Sequence, residues 1–104
     1  MARKPAAGPA SDPEVLILSS LAEGPKHGYG IKLDVARFAG VELGPGTLYS
    51  AITRLVENGW IEAVGGKGRQ RPYQLTGEGF EHLEAQLERM QKLARCGLRR
   101  LRTA

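Results

Sequence analysis

Residues 44–75, GPGTLYSAITRLVENGWIEAVGGKGRQRPYQL, limit the possible folds more than any other part of the chain. Leu48, Ile52, Leu55 and Val56 recur with a 3.6-residue period and predict the apolar face of a helix. Thr47, Ser50, Thr53, Arg54 and Glu57 fall on the opposite face, and most of them can donate hydrogen bonds to phosphates or base edges. Asn58-Gly59 predicts a stop in which glycine takes the left-handed conformation. Trp60 to Val64 and Pro72 to Leu75 then read as two strands. They are joined by GGKGRQR, which carries Lys67, Arg69 and Arg71 among glycines. That loop is too long for a two-residue hairpin turn. It is also no phosphate-binding loop, since such a loop must lead from a strand into a helix and this one leads into another strand. A helix with a polar face beside a basic hairpin implies a winged helix-turn-helix, with double-stranded DNA as its partner.

The flanking segments supply the remaining helices. Ser11-Asp12-Pro13-Glu14 reads as a capping box opening a helix from Glu14 to Ala22, apolar on most sides and therefore central. Gly24-Pro25 stops it. A second helix runs from near Lys26–Gly28 to Gly40, with Ile31, Val35 and Phe38 inward and Lys32, Asp34 and Arg37 outward. Gly28 and Gly30 in its first turns each cost about 1 kcal/mol against alanine, so close approach of another helix is expected there. Val41-Glu42-Leu43 is read as a short strand pairing with the hairpin. Thr47 is placed to cap the third helix or to meet a phosphate at its N-terminus. Thr76 is the expected N-cap of a fourth helix that continues from about Glu78 almost to the end. The fold class is mainly α with a small β-hairpin: three helices, a two-stranded wing, then a fourth helix. Residues 1–10, with two prolines, a glycine, four alanines and two positive charges, are expected to form a disordered basic arm, since that composition cannot nucleate a core. Residues 11–76 form the winged domain, and 77–104 a C-terminal helix.

On the fourth helix Phe80, Leu87, Ala94 and Leu101 recur every seven residues; Leu83 and Met90 hold the interleaved position, which next falls on Gly97 with Leu98 beside it. Such a seam on a domain of this size predicts a partner helix, hence a homodimer. A chain of 104 residues buries only a limited core, so a dimer interface is also a plausible source of stability.

Composition excludes several classes. A net charge of +4, concentrated in the wing and both chain ends, favours an anionic partner. The lone cysteine, Cys96, allows no internal disulfide and lies off the seam, so a reducing, cytoplasmic setting is the default. No apolar run reaches the roughly 18 residues of a membrane span. His27 has no neighbour at ligand spacing and reads as a packing or capping side chain, so neither metal nor cofactor is expected. His82, among Glu78, Glu81 and Glu84, reads as solvated or interfacial. No serine sits in a nucleophile motif and the two histidines fall on different helices, so the chain is not expected to be an enzyme.

The segments ILSSLAEGPKHGYGI at 17–31, LGPGTLYSAITRLVENGWIE at 43–62, the basic wing and YQLTGEG at 73–79 together resemble the PadR family of bacterial transcriptional regulators. The resemblance covers residues 14 to 90. It implies a homodimeric winged-helix repressor of the compact type, with one C-terminal helix building the dimer. Carried onto this chain, Thr47, Tyr49 and Ser50 fall in the recognition-helix motif, with Arg54 a turn later. Ser50 stands where many relatives have proline. Compact members with a drug-binding pore carry an aromatic residue, often tryptophan, in the last helix; here Trp60 stands in the wing and that helix has Phe80 alone. The expected DNA-contacting set is Thr47, Tyr49, Ser50, Thr53, Arg54, Lys67, Arg69 and Arg71. The expected dimer set is Phe80, Leu83, Leu87, Met90, Ala94, Leu98 and Leu101. Two alternatives stay open: a ligand sensor in which an unknown small-molecule effector alters the spacing of two reading helices, and a winged helix used as a protein-interaction module.

Overall fold

The computed structural model describes residues 12–65 and 71–103. The arm at 1–10, the capping role of Ser11, and Lys67 and Arg69 lie outside the described residues.

Helix α1 (Pro13–Leu21) begins and ends one residue before the expected Glu14–Ala22. Its N-cap is Asp12, whose carboxylate accepts the Glu14 N–H at 2.9 Å. The apolar run Val15 to Leu18 and Leu21 is buried, which puts α1 at the centre with other elements packed around it.

Helix α2 (Gly28–Ala39) ends at Gly40, which takes φ 67° where a side chain would be strained. Ile31 and Val35 are fully buried as expected, but Phe38 is half exposed and Asp34, expected outside, is buried. The cause is a polar cluster. The Ser20 hydroxyl donates to Asp34 Oδ2 at 2.7 Å, and Arg37 Nη2 donates to Oδ1 at 2.9 Å. Lys26 Nζ donates to the Ser20 carbonyl and stands 3.7 Å from the same carboxylate. Asp34 thus ties α2 to α1 and to the intervening turn.

Helix α3 (Pro45–Glu57) takes Gly44 as its N-cap, with no side-chain cap, and Pro45 at the first helical position. Thr47 therefore lies inside the first turn and does not cap. At the other end Gly59 (φ 77°) closes a Schellman turn, with Trp60 N donating to Leu55 O and Gly59 N to Val56 O, both at 3.0 Å. Leu48, Ala51, Ile52 and Leu55 are buried. Val56, expected on that face, is 43% exposed because Ala51 occupies the inward position instead.

Strands β1 (Ile61–Ala63) and β2 (Tyr73–Leu75) pair antiparallel, with Ile61 opposite Leu75 and Ala63 opposite Tyr73. The third partner in the sheet is not residues 41–43, which form no strand. It is Lys26, whose N–H and C=O bond to Tyr73 on the free edge of β2 at 3.0 and 2.9 Å. Residues 41–43 instead serve the core: Leu43 is buried and Val41 packs against it.

Helix α4 (Gly77–Thr103) follows Thr76, whose hydroxyl accepts the Gly79 N–H at 3.0 Å and donates to Gly59 O at 2.6 Å. Gly79 is buried against the Trp60 carbonyl, where a Cβ would overlap the oxygen. One turn on, the His82 ring stacks on Trp60 with centroids 3.5 Å apart and planes 12° from parallel. His82 is therefore half-buried and stacked, where its acidic neighbours in sequence suggested a solvated or interfacial side chain. Leu83 completes the junction inside the core. The helix continues past Gly97 to Thr103.

Candidate nucleic-acid interface

The burial of Leu48, Ala51, Ile52 and Leu55 fixes the rotation of α3, and its other side is left to solvent. Thr47, Tyr49, Ser50, Thr53 and Arg54 are all exposed on the outer surface of this helix. The exposed turn Gly44-Pro45-Gly46 leads into them, and its unpaired amide groups carry the positive end of the helix dipole.

The side chains differ in how free they are. Ser50 makes no side-chain hydrogen bond among the described residues. The Thr53 hydroxyl donates back to the Tyr49 carbonyl at 2.9 Å, which leaves its lone pairs and methyl group facing outward. Tyr49 lies against the start of α2: a Cβ at Gly28 would come within 2.7 Å of its hydroxyl oxygen. The close approach expected at Gly28 is thus found, and the neighbour is a tyrosine of α3. Gly30 has no such reason, since its Cβ would meet only Lys26 Cβ at 3.7 Å. Arg54 is held by a residue distant in sequence. Its Nε donates to Glu14 Oε2 at 3.0 Å, so it pairs with α1 and not with Glu57 or Asn58 of its own helix.

The hairpin adds a second arm to the candidate surface. Arg71 is exposed at the start of the returning strand. Together with Thr53, Val56, Glu57 and Tyr73 it lines a hollow of about 250 Å³ between α3 and the wing. Sequence reasoning named Thr53 and Arg71 separately; the fold brings them to one concavity. It missed Val56, whose exposed side chain forms the apolar wall there. It also missed the Asp34 cluster that fixes α2 beneath Tyr49. The one available signal for that cluster was Ser20, a polar residue near the end of an apolar helix.

The family of models described as "Transcriptional regulator PadR-like family" matches residues 17–85. A transcriptional regulator from Clostridium thermocellum has 30% identity and a TM-score of 0.71, covering 80% of this chain and 86% of that one. A PadR family transcription regulator from Clostridium difficile has 26% identity and a TM-score of 0.76, covering 86% of this chain and 97% of that one. An uncharacterized 37.1 kDa protein in transposon TN4556 of Streptomyces fradiae is 42% identical over 84 residues, or 81% of this chain. The chain spans about a quarter (24%) of that relative's length. Four helices around a two-stranded hairpin are the layout of the structural relatives, and the family consists of transcriptional regulators, not enzymes. The chain belongs to the PadR-like family of transcriptional regulators.

Proposed function

We propose that the chain is a homodimeric repressor that binds an inverted-repeat operator in double-stranded DNA, each α3 entering a major groove and each wing lying on the neighbouring backbone. The observation that carries this reading is the exposed polar face of α3, held at a fixed rotation by Leu48, Ile52 and Leu55 and set beside a basic wing. Thr47, Tyr49, Lys67, Arg69 and Arg71 position the protein on phosphates. Ser50, Thr53 and Arg54 face base edges. The Glu14 pair does not remove Arg54 from this role. An exposed ion pair contributes about 1 kcal/mol at most, whereas a bidentate contact to guanine contributes about 1–3 kcal/mol of discrimination, so the exchange is favourable.

The exposed apolar residues of α4 support the dimer.

Salt dependence tests the wing. Neutralising Arg69 and Arg71 together should flatten the plot of log Kobs against log salt by about two units for each bound subunit. An unchanged slope would remove the wing from the interface.

A further inference from the structure

Arg54 passes over an acid on its own helix for one on another. Glu57 stands one turn further along α3 and is exposed, yet it joins no ion pair among the described residues. Arg54 Nε donates instead to Glu14 Oε2 at 3.0 Å, across the packing of α3 against α1. Glu14 makes a firm anchor. It sits in the first turn of α1, its backbone N–H is held by the Asp12 cap, and its side chain is 31% exposed. The Arg54 side chain is 52% exposed, and neither Nη group makes a hydrogen bond among the described residues.

The pair also fixes where the guanidinium rests. At about 100° per residue, Ser50, Thr53 and Glu57 lie at the middle of the exposed side of α3, opposite Leu48, Ala51, Ile52 and Leu55. Arg54 stands about 70° from that middle, at the edge beside α1. A free arginine at such an edge would sample the surrounding phosphates, contacts that add affinity but no sequence information. One held by Nε keeps a forked pair of Nη donors on a fixed stem.

We infer that Glu14 is a positioning residue for base readout: by holding Nε of Arg54 it aims the two Nη groups at one guanine, whose O6 and N7 they meet together. The inference deepens the operator reading above and rests on it. The pair and the base do not compete for the same nitrogen, so both contacts stand at once. The advantage is preorganisation. Immobilising a side chain as rotamer-rich as arginine costs about two- to twelvefold in an equilibrium constant, and the ion pair incurs that cost before DNA arrives.

The experiment measures Kd for two DNAs: the fragment that the purified wild-type chain selects most strongly from a random duplex pool, and the unselected pool itself. Glu14→Ala should weaken binding to the selected fragment by about two- to twelvefold for each bound subunit, while binding to the unselected pool holds or tightens. That split has the opposite sign to bulk electrostatics, because removing a carboxylate near a polyanion tightens binding to any sequence. Glu14→Gln removes the same charge but keeps an acceptor oxygen within reach, and should retain part of the selectivity. In an Arg54→Ala chain, Glu14→Ala should leave the ratio of the two affinities unchanged. Thermal unfolding of each variant accounts for stability, which acts on both DNAs alike. A ratio that Glu14→Ala does not lower, or lowers as much without Arg54, overturns the role of Glu14 and leaves readout by α3 standing. A pool that yields no preferred fragment, or an Arg54→Ala chain with unaltered base preference, overturns the Arg54 readout and this inference together.

Discussion

Gly79→Ala is expected to destabilise the protein by about 3 kcal/mol, a loss of more than 10 °C in Tm for a domain of this size. The direction is the reverse of the ordinary one. Alanine in place of a helical glycine normally stabilises by about 0.5–1 kcal/mol, because it narrows the unfolded ensemble and favours helix. At Gly79 the added methyl would overlap the Trp60 carbonyl oxygen, and its distance to the carbonyl carbon would be 2.7 Å. The obstacle is backbone, which cannot turn aside as a side chain can. That carbonyl also accepts the Thr76 N–H at 3.1 Å, so moving it breaks the bond that starts α4. Gly97 is the internal control, with nothing within 4 Å of its Cβ position. Gly97→Ala should stabilise by about 0.5–1 kcal/mol. Thermal unfolding of the two variants side by side checks the sign of each.

Asp34→Ala should cost about 2–3 kcal/mol at neutral pH, because it leaves the Ser20 hydroxyl and the half-buried Lys26 ammonium without their shared acceptor. The cost should also depend on pH. The Ser20 hydrogen bond, aided by the Arg37 hydrogen bond and by the charges of Lys26 and Arg37, outweighs the effect of burial and holds the Asp34 carboxyl below its usual 3.8. A carboxylate whose pKa is lower in the folded state stabilises that state fully above the unfolded value. The contribution is lost as pH falls through the lower, folded value. Denaturant unfolding should therefore show the widest gap between wild type and Asp34→Ala above about pH 5, narrowing steadily below 3.8. A gap that does not change with pH would mean that Asp34 acts through packing alone.

The local rules of helix formation carried far in this chain. The αL stop at Gly59, the Thr76 cap and the outward polar side of α3 are consequences of neighbours within a few residues, and they stand as periodicity and capping chemistry predict. What was not legible depends on partners far along the chain. Lys26 takes the sheet edge expected of residues 41–43 because the turn after α1 happens to run beside β2. Arg54 finds Glu14, forty positions earlier, and His82 finds Trp60 across the wing junction. Period alone also cannot choose among neighbouring residues at the edge of an apolar arc. This is why Val56 and Phe38 turn outward while Ala51 and Asp34 turn in. The same limit applies to the α4 seam, where Leu83 and Met90 go to the domain's own core and leave a narrower stripe outside.

The central claim is that two α3 helices, held by a dimer, read a symmetric DNA site. Selection of bound fragments from a random DNA pool by the purified protein, followed by sequencing, tests it most directly. The account predicts enrichment of an inverted repeat with half-sites about one helical turn apart or a multiple of it, centre to centre. It further predicts that Ser50→Ala and Arg54→Ala relax the preference at particular base pairs within each half. Enrichment of no sequence, or of a single site without two-fold symmetry, would contradict it.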